Sequence, residues 1–270
     1  MRCELCEFDN PKGTASAVII KDGKLLVLKR DEEPYRGSWD LPGGYMQRGE
    51  HPEETIKREI REELSSDCEA TYIGVFPGTA TFNGKDFAVL SHAFLVSLKN
   101  DITLNKENSV YEWQRVMDIT SIAFDSNQDI LKFVKEKFFT DIEAVKELIP
   151  QLDSSAVIDE QRYYRAILNG YVSKKIVNGK LVGMGWIFPR ETLIRKQAVI
   201  EDMIVHESAR GKGYGKEIVL DLLRWAKENG MEVVELTSGS HRVPANKLYQ
   251  KVDFKLHPTN HYLYKVNESR

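Results

Sequence analysis

The chain has 270 residues, 41% of them hydrophobic and 29% charged, with a formal net charge of -3. This excludes a fibrous or disordered chain, and the length exceeds the usual size of one core, so two modest domains are expected. No run approaches the roughly eighteen apolar residues of a membrane span, the first residues lack the apolar stretch of a secretory signal, and the basic residues are dispersed. Together these argue against membranes and nucleic-acid backbones as partners and make the cytoplasm the expected compartment.

In chain order, Thr14 to Ile20 and Leu25 to Arg30 read as strands around Asp22-Gly23, a pair that favours a tight hairpin turn. Trp39-Asp40-Leu41-Pro42-Gly43-Gly44-Tyr45 follows, where two glycines let backbone carbonyls approach an ion or phosphate. Glu53 to Leu64 has helical spacing. Glu59, Glu62 and Glu63 stand there at i, i+3 and i+4 and present carboxylates on one face, while Ile56, Ile60 and Leu64 form the apolar stripe. Crowded carboxylates call for a cation, and a hard divalent ion takes oxygen ligands. The helix alone also reads as a salt-bridged surface helix, with Glu54 placed four before Arg58 and with Lys57 and Arg61 interspersed. The glycine segment before it favours the metal reading. Ala70 to Val75, Phe87 to Val96 and Glu112 to Val116 are further strand-like runs, and Asp129 to Phe139 is an amphipathic helix.

Gly44, Glu50, Arg58, Glu59, Ile60, Glu62 and Glu63 form a spaced run that resembles the signature of the Nudix hydrolases, over roughly the first half of the chain. The family pattern closes with a glycine where Ser65 and Ser66 stand here, which bears on the helix exit rather than on the chemistry. The resemblance implies a metal site of Gly44, Glu59, Glu62 and Glu63 for Mg²⁺ or Mn²⁺, with Arg58 beside it. It also implies hydrolysis of a small-molecule nucleoside diphosphate derivative, with either Glu62 or Glu112 as general base and selectivity in loops such as Phe76 to Asp86. Some relatives carry an amino-terminal zinc ribbon with two C-x-x-C pairs. Only Cys3 and Cys6 form such a pair here, and Cys68 has no close His in sequence, so a degenerate ribbon or free thiols are expected.

A boundary is expected at Phe139-Thr140, giving domains 1–139 and 140–270. Asp141 to Leu148 starts a fresh helical pattern that Pro150 stops. Further on, the strand-like run Val199 to Val205 leads through His206 into Arg210-Gly211-Lys212-Gly213-Tyr214-Gly215-Lys216, and a helix with Ile218, Leu222 and Trp225 on one side ends at Asn229-Gly230. Glycines at a helix start expose N–H groups at the positive end of the dipole, a site for diphosphate. A strand at Val233 to Thr237 then precedes Arg242 to Tyr249 and Phe254.

Strand, Arg-x-x-Gly-x-Gly loop and helix in this order resemble the acetyl-CoA loop of the GNAT acetyltransferases, from Thr140 to the end. The resemblance implies acetyl-CoA held by Val205 and Arg210 to Lys216, and Tyr249 protonating the CoA thiolate unless it is only a core aromatic. Either Glu201 or Asp202 would be the base, Glu201 being slightly favoured, since neighbours on a strand face opposite ways. Asp253 replaces the family's usual glycine before Phe254. The acceptor would be a small amine, chosen by the region Gln151 to Ile176. The expected fold is α/β with mixed sheets: a Nudix α/β/α sandwich followed by a GNAT-type acyl-CoA N-acyltransferase fold. The expected function is bifunctional, the opposing reading being a second domain that only binds acyl-CoA as a regulatory module. A homodimer is left open.

Overall fold

A computed structural model describes residues 10–82, 84–104, 108–138, 142–264 and 266. Two compact units divide after Tyr171. The expected boundary at Phe139-Thr140 lies outside the described residues, as do Cys3 and Cys6.

The first unit opens with β1 (Lys12–Val18), β2 (Ile20–Lys21) and β3 (Lys24–Arg30). Asp22 and Gly23 both have positive φ, 50° and 68°, as a two-residue hairpin turn requires. Two short strands, β4 (Trp39–Asp40) and β5 (Gly43–Tyr45), carry the chain to α1 (Pro52–Leu64). The α1 start is fixed by reciprocal bonds: the His51 imidazole accepts from the Glu53 N–H at 3.3 Å, and the Glu54 carboxylate accepts from the His51 N–H at 2.9 Å. Such a cap is worth about 1 kcal/mol. Its exit is the left-handed residue Ser65, φ 54° and ψ 33°. The serine therefore takes the conformation that the family's glycine would supply.

A long hairpin follows, β6 (Cys68–Phe82) and β7 (Lys85–Leu98), paired antiparallel through nearly its whole length. The stretch Phe76 to Asp86, expected as a loop, is thus mostly strand. Its Thr79, Thr81 and Phe82 are good strand formers, and the partner strand β7 satisfies their backbone groups. Then come β8 (Asn108–Arg115) and α2 (Asp125–Phe138). One sheet has the order β5-β1-β7-β6, with β1 parallel to β7, and a second has β2-β3-β4 with β8 on β3. Ile56, Ile60 and Leu64 of α1 are buried completely against Ala15, Ala17, Leu26, Leu28 and Phe94. Each such side chain contributes about 1.5–3 kcal/mol.

Two more helices, α3 (Ile142–Leu148) and α4 (Glu160–Leu168), belong to this same unit. The Glu160 carboxylate accepts from the N–H groups of Asp22 and Gly23 at 3.0 and 3.1 Å. Gln161 donates to the Ile20 carbonyl at 2.8 Å, and the Tyr164 ring packs edge-on to Phe138.

The second unit is a four-stranded sheet in the order β12-β11-β10-β9. Its strands are β9 (Tyr171–Val177), β10 (Lys180–Glu191), β11 (Lys196–Val205) and β12 (Val233–Leu236), with α5 (Tyr214–Glu228) and α6 (Val243–Lys251). Gly183 and Gly185 on β10 let Ile218 and Leu222 of α5 approach the sheet closely. Among the described residues, no helix is long and apolar enough to cross a membrane.

Candidate active sites

In the first unit the two glycines and the acidic helix meet. Gly43, at φ 145°, runs so close to the Ala15 backbone that a β-carbon would overlap the Ala15 carbonyl oxygen, and at Gly44 one would overlap the Glu59 carboxylate. At Gly43 the obstacle is backbone, so no other residue type fits; at Gly44 the Glu59 carboxylate would have to move aside. The Gly43 N–H donates to Glu63 at 2.9 Å, which ties the helix to β5. Arg58 organises the remaining acids: it bonds Glu50 at 2.8 and 3.0 Å, Glu59 at 2.7 Å, Glu62 at 3.0 Å and the Tyr45 carbonyl at 3.0 Å. These bonds hold the Glu50 carboxyl down at about 2, with the Gln47 N–H adding to the effect, and they push the Arg58 guanidinium up.

Among the described residues no group of three or more acids, histidines or cysteines stands placed to hold a metal ion. The acids are spread between Arg58 and the Gly43 N–H instead. A hard ion that keeps water and phosphate ligands does not need a closed cage, and a β-carbon at Gly44 would meet the Glu59 carboxylate. Glu59 and Glu62 are bonded to Arg58 and Glu63 to the Gly43 N–H, so these carboxylates lie along the α1 side of the Gly43-Gly44 turn, and carboxylate oxygens are the donor chemistry that such an ion takes. Glu112 is elsewhere. It is exposed, accepts from Gln114 at 2.9 Å, and its neighbour Trp113 is the residue packed against the core of α1. Strand alternation puts Glu112 on the other face.

A second feature carries no sequence motif. A cavity of about 250 Å³ is lined by Tyr35, Ser38, Trp39, Ile122, Phe124, Asp125 and Gln128 among others. Tyr35 and Phe124 meet edge to face at 5.0 Å, and both have positive φ, 66° and 63°. That conformation is a genuine outlier for bulky residues, and such strain concentrates at ligand clamps. Behind this wall, Asp40 is bonded by Arg30 at 3.1 Å, by Asn127 at 2.6 Å and by the Leu41 N–H at 2.9 Å. Burial nonetheless wins and raises its carboxyl to about 6.

In the second unit the loop before α5 is built from backbone. His206 caps a short turn by accepting from the Ser208 N–H, and Arg210 donates to the Val205 carbonyl at 3.1 Å. Gly211 and Gly213 have φ 78° and 87°, with open space where a β-carbon would stand. Gly213 caps α5 without a side-chain bond, and its carbonyl accepts from Lys216 and Glu217. The N–H groups of Tyr214 and Gly215 precede the first intrahelical bond and are directed outward along the axis. Lys212 and Lys216 are exposed around them.

Tyr249 on α6 lies 6.0 Å from the Phe254 ring, and Leu248 beside it reaches Gly215, so the tyrosine and the loop are neighbours. Burial raises the Tyr249 hydroxyl, and the Glu201 charge adds to this although Arg242 opposes it. Burial first, then Asp202, raises the Glu201 carboxyl. The expected alternation of Glu201 and Asp202 is broken: the register between β10 and β11 shifts after Met184, and Asp202 has φ 51°. Asp253, like Ser65, stands in the left-handed region that a glycine would occupy, at φ 69°.

The pattern of the NUDIX domain matches residues 11–138, and that of the acetyltransferase (GNAT) family matches 137–254. The chain is 30% identical over 131 residues to the nucleoside triphosphatase NudI of Escherichia coli, spanning 44% of this chain and 92% of that one. It is 43% identical over 54 residues to an ADP-ribose pyrophosphatase of Methanocaldococcus jannaschii, 20% of this chain and 32% of that protein. It is 37% identical over 68 residues to the uncharacterized N-acetyltransferase YvbK of Bacillus subtilis, 25% of this chain and 44% of that one. The last two matches thus span less than half of each relative. The chain belongs to the Nudix family through its first half and carries a GNAT acetyltransferase domain in its second.

Proposed function

We propose that the first unit cleaves a diphosphate bond in a nucleoside diphosphate derivative with Mg²⁺ or Mn²⁺, and that the second transfers acetyl from acetyl-CoA to a primary amine. The carrying observation for the first is the Gly43-Gly44 turn seated against Glu59 and Glu63. Gly44, Glu59, Glu62 and Glu63 would hold the ion, which supplies charge neutralisation on the phosphate oxygens. Glu62, bonded to Arg58 and with a side chain 53% exposed, would take the proton of the attacking water, a role favoured over Glu112 because Glu62 stands on the same helix as Glu59 and Glu63. The water oxygen bonds to phosphorus as the bridging oxygen leaves, giving two phosphate products. Arg58 keeps the acids in register. The cavity between Tyr35 and Phe124 takes the non-phosphate moiety. The relatives' names, a nucleoside triphosphatase and an ADP-ribose pyrophosphatase, support a nucleotide substrate.

In the second unit the Gly211 to Gly215 N–H groups receive the CoA diphosphate. The amine nitrogen, its proton passed to Glu201, bonds to the acetyl carbon as the carbon–sulfur bond breaks, and Tyr249 returns a proton to the thiolate. By chain pattern we assign 1–139 to the hydrolase and 140–270 to the transferase. The test is the purified full chain against a panel of nucleoside diphosphate derivatives, with products weighed by mass spectrometry, with and without chelator. Metal-independent cleavage, or no cleavage of any member, would defeat the hydrolase reading. Acetyl-CoA consumption that stays at background with every amine offered would leave the second unit as a binding module.

A further inference from the structure

The second unit has a face that the reaction so far does not use. Trp186 of β10 is directly opposite Glu201 of β11 in the register, and cross-strand partners project from the same side of a sheet. Phe188, two residues on, is on that side too, and its ring is stacked with Trp186 at 4.3 Å and 25°. The Trp186 indole nitrogen is shielded from solvent, yet it has no hydrogen-bond partner in the structure. A buried N–H without an acceptor is costly and rarely tolerated. It stands beside a carboxylate that has the transferase's proton to accept.

The opposite side of the same strands is filled. Ile187 and Ile200 are buried at 0% and 2% exposure, and α5 packs there through Ile218 and Leu222. The indole and the carboxylate are thus separated from the structural core and face the side on which an acceptor amine must arrive. Adjacent cross-strand side chains start about 4.5–5.5 Å apart. An amine at Glu201 and an oxygen at the Trp186 N–H can therefore belong to one small molecule, separated by two or three bonds.

We propose that Trp186 is a specificity-determining residue of the acetyltransferase site, selecting amines that carry a carbonyl or carboxylate oxygen close to the nitrogen and a planar or apolar body. The indole N–H donates to that oxygen, and the Trp186–Phe188 stack receives the body. The acceptor is then amino-acid-like rather than a plain alkylamine. The inference rests on the acetyltransferase reading of this unit and on Glu201 facing the amine.

Two matched probes test it: L-phenylalaninamide, and 2-phenylethylamine, which lacks only the carboxamide. The chain has four tryptophans, so ¹⁵N-labelled full-length protein gives four indole signals, and Trp186→Phe identifies the one in question. Should that variant not fold, Phe at Trp39, Trp113 and Trp225 identifies it by elimination. Phenylalaninamide should move the Trp186 indole N–H signal saturably and farther than phenylethylamine does, since only the amide supplies an oxygen for that N–H. In acetyl transfer, phenylalaninamide should be preferred by about tenfold in kcat/KM, and Trp186→Phe should reduce that preference to within about twofold. An indole signal that both probes move equally, or that neither moves, overturns the proposal. Loss of acetyl-CoA binding or of all turnover, with the indole response intact, would instead defeat the acetyltransferase reading and leave the subsite standing.

Discussion

The two sites are made of different material. In the first unit the site is mostly side chains: the carboxylates of Glu50, Glu59 and Glu62 bonded to Arg58, with the glycines giving room to Glu59 and an N–H to Glu63. In the second it is main chain, two left-handed glycines and a helix start with no side-chain cap. The first is specified by charge, so exchanging one carboxylate removes function while packing survives. The second is specified by the absence of side chains, so adding one does the damage. On the proposed function the difference follows from the ligand: a hard cation needs anionic donors, while a diphosphate needs N–H groups and open approach.

The largest break of this comparison should come from Glu63→Gln. Gln retains the volume and an oxygen for the Gly43 N–H but not the charge, so diphosphate cleavage should fall on the order of a hundredfold. Acetyl transfer by the same preparation should stay within about twofold. An effect on cleavage below about threefold in steady-state rates would refute the charge-built site.

Next comes Gly213→Asp. Nothing lies within 4 Å of the added β-carbon, and the strain of a side chain at φ 87° is about 1–2 kcal/mol, so the protein should fold with a lower Tm while the thermal shift produced by acetyl-CoA disappears. Gly213→Ala separates the two causes, since it adds the carbon without the charge and should keep part of the shift. Equal shifts in all three proteins would take the diphosphate away from this loop. Tyr249→Phe should be milder, slowing acetyl transfer about tenfold with unchanged acetyl-CoA affinity, and most at pH values where little external acid is present. A parent-like pH profile would return Tyr249 to the role of a packing residue.

Smaller effects sharpen the contrast between charge and backbone. The Asp40 carboxyl, raised by burial, should titrate near 6 in carboxyl NMR. Because its folded value lies above the unfolded one, its contribution to stability is complete below about pH 4 and is lost as pH rises toward 6. A midpoint below 4 would mean that Arg30 and Asn127 outweigh burial. Smallest of all, Ser65→Gly and Asp253→Gly should each stabilise by about 0.5 kcal/mol, the relief of a left-handed side chain less the entropy of glycine. Calorimetry should show rises of about 1–2 °C; a fall at either position would mean that the side chain has a local bond worth more than the strain.

The acidic helix and the glycine loop were legible because their constraints are local. Spacing along one helix puts Glu59, Glu62 and Glu63 together, and a glycine pair before a helix start exposes N–H groups whatever the rest of the chain does. What was not legible depends on pairings distant in sequence. Phe76 to Asp86 became strand because β7 was there to receive it. Glu112 stands on the strand face opposite Trp113, an arrangement set by the pairing of β8 with β3, which no local pattern reveals. Tyr35 and Phe124 meet across some ninety residues of chain, and Trp186 meets Glu201 across a register shift. The two departures from the family patterns, Ser65 and Asp253, concerned conformation rather than chemistry, and in both the backbone kept the glycine shape.

The Glu160 carboxylate, gripping both amides of the Asp22-Gly23 turn, has a consequence for anyone who would graft or exchange these modules. The acetyltransferase pattern begins at residue 137, yet α3 and α4 are folded onto the hydrolase, with Ile142, Val145, Leu148 and Tyr164 buried at 2% exposure or less. A cut at the seam between the two patterns would strip a layer from one enzyme to complete the outline of the other. The start of the second family pattern and the edge of the first compact unit differ here by about thirty residues, so a hydrolase excised for transplantation is expected to need the chain as far as Tyr171.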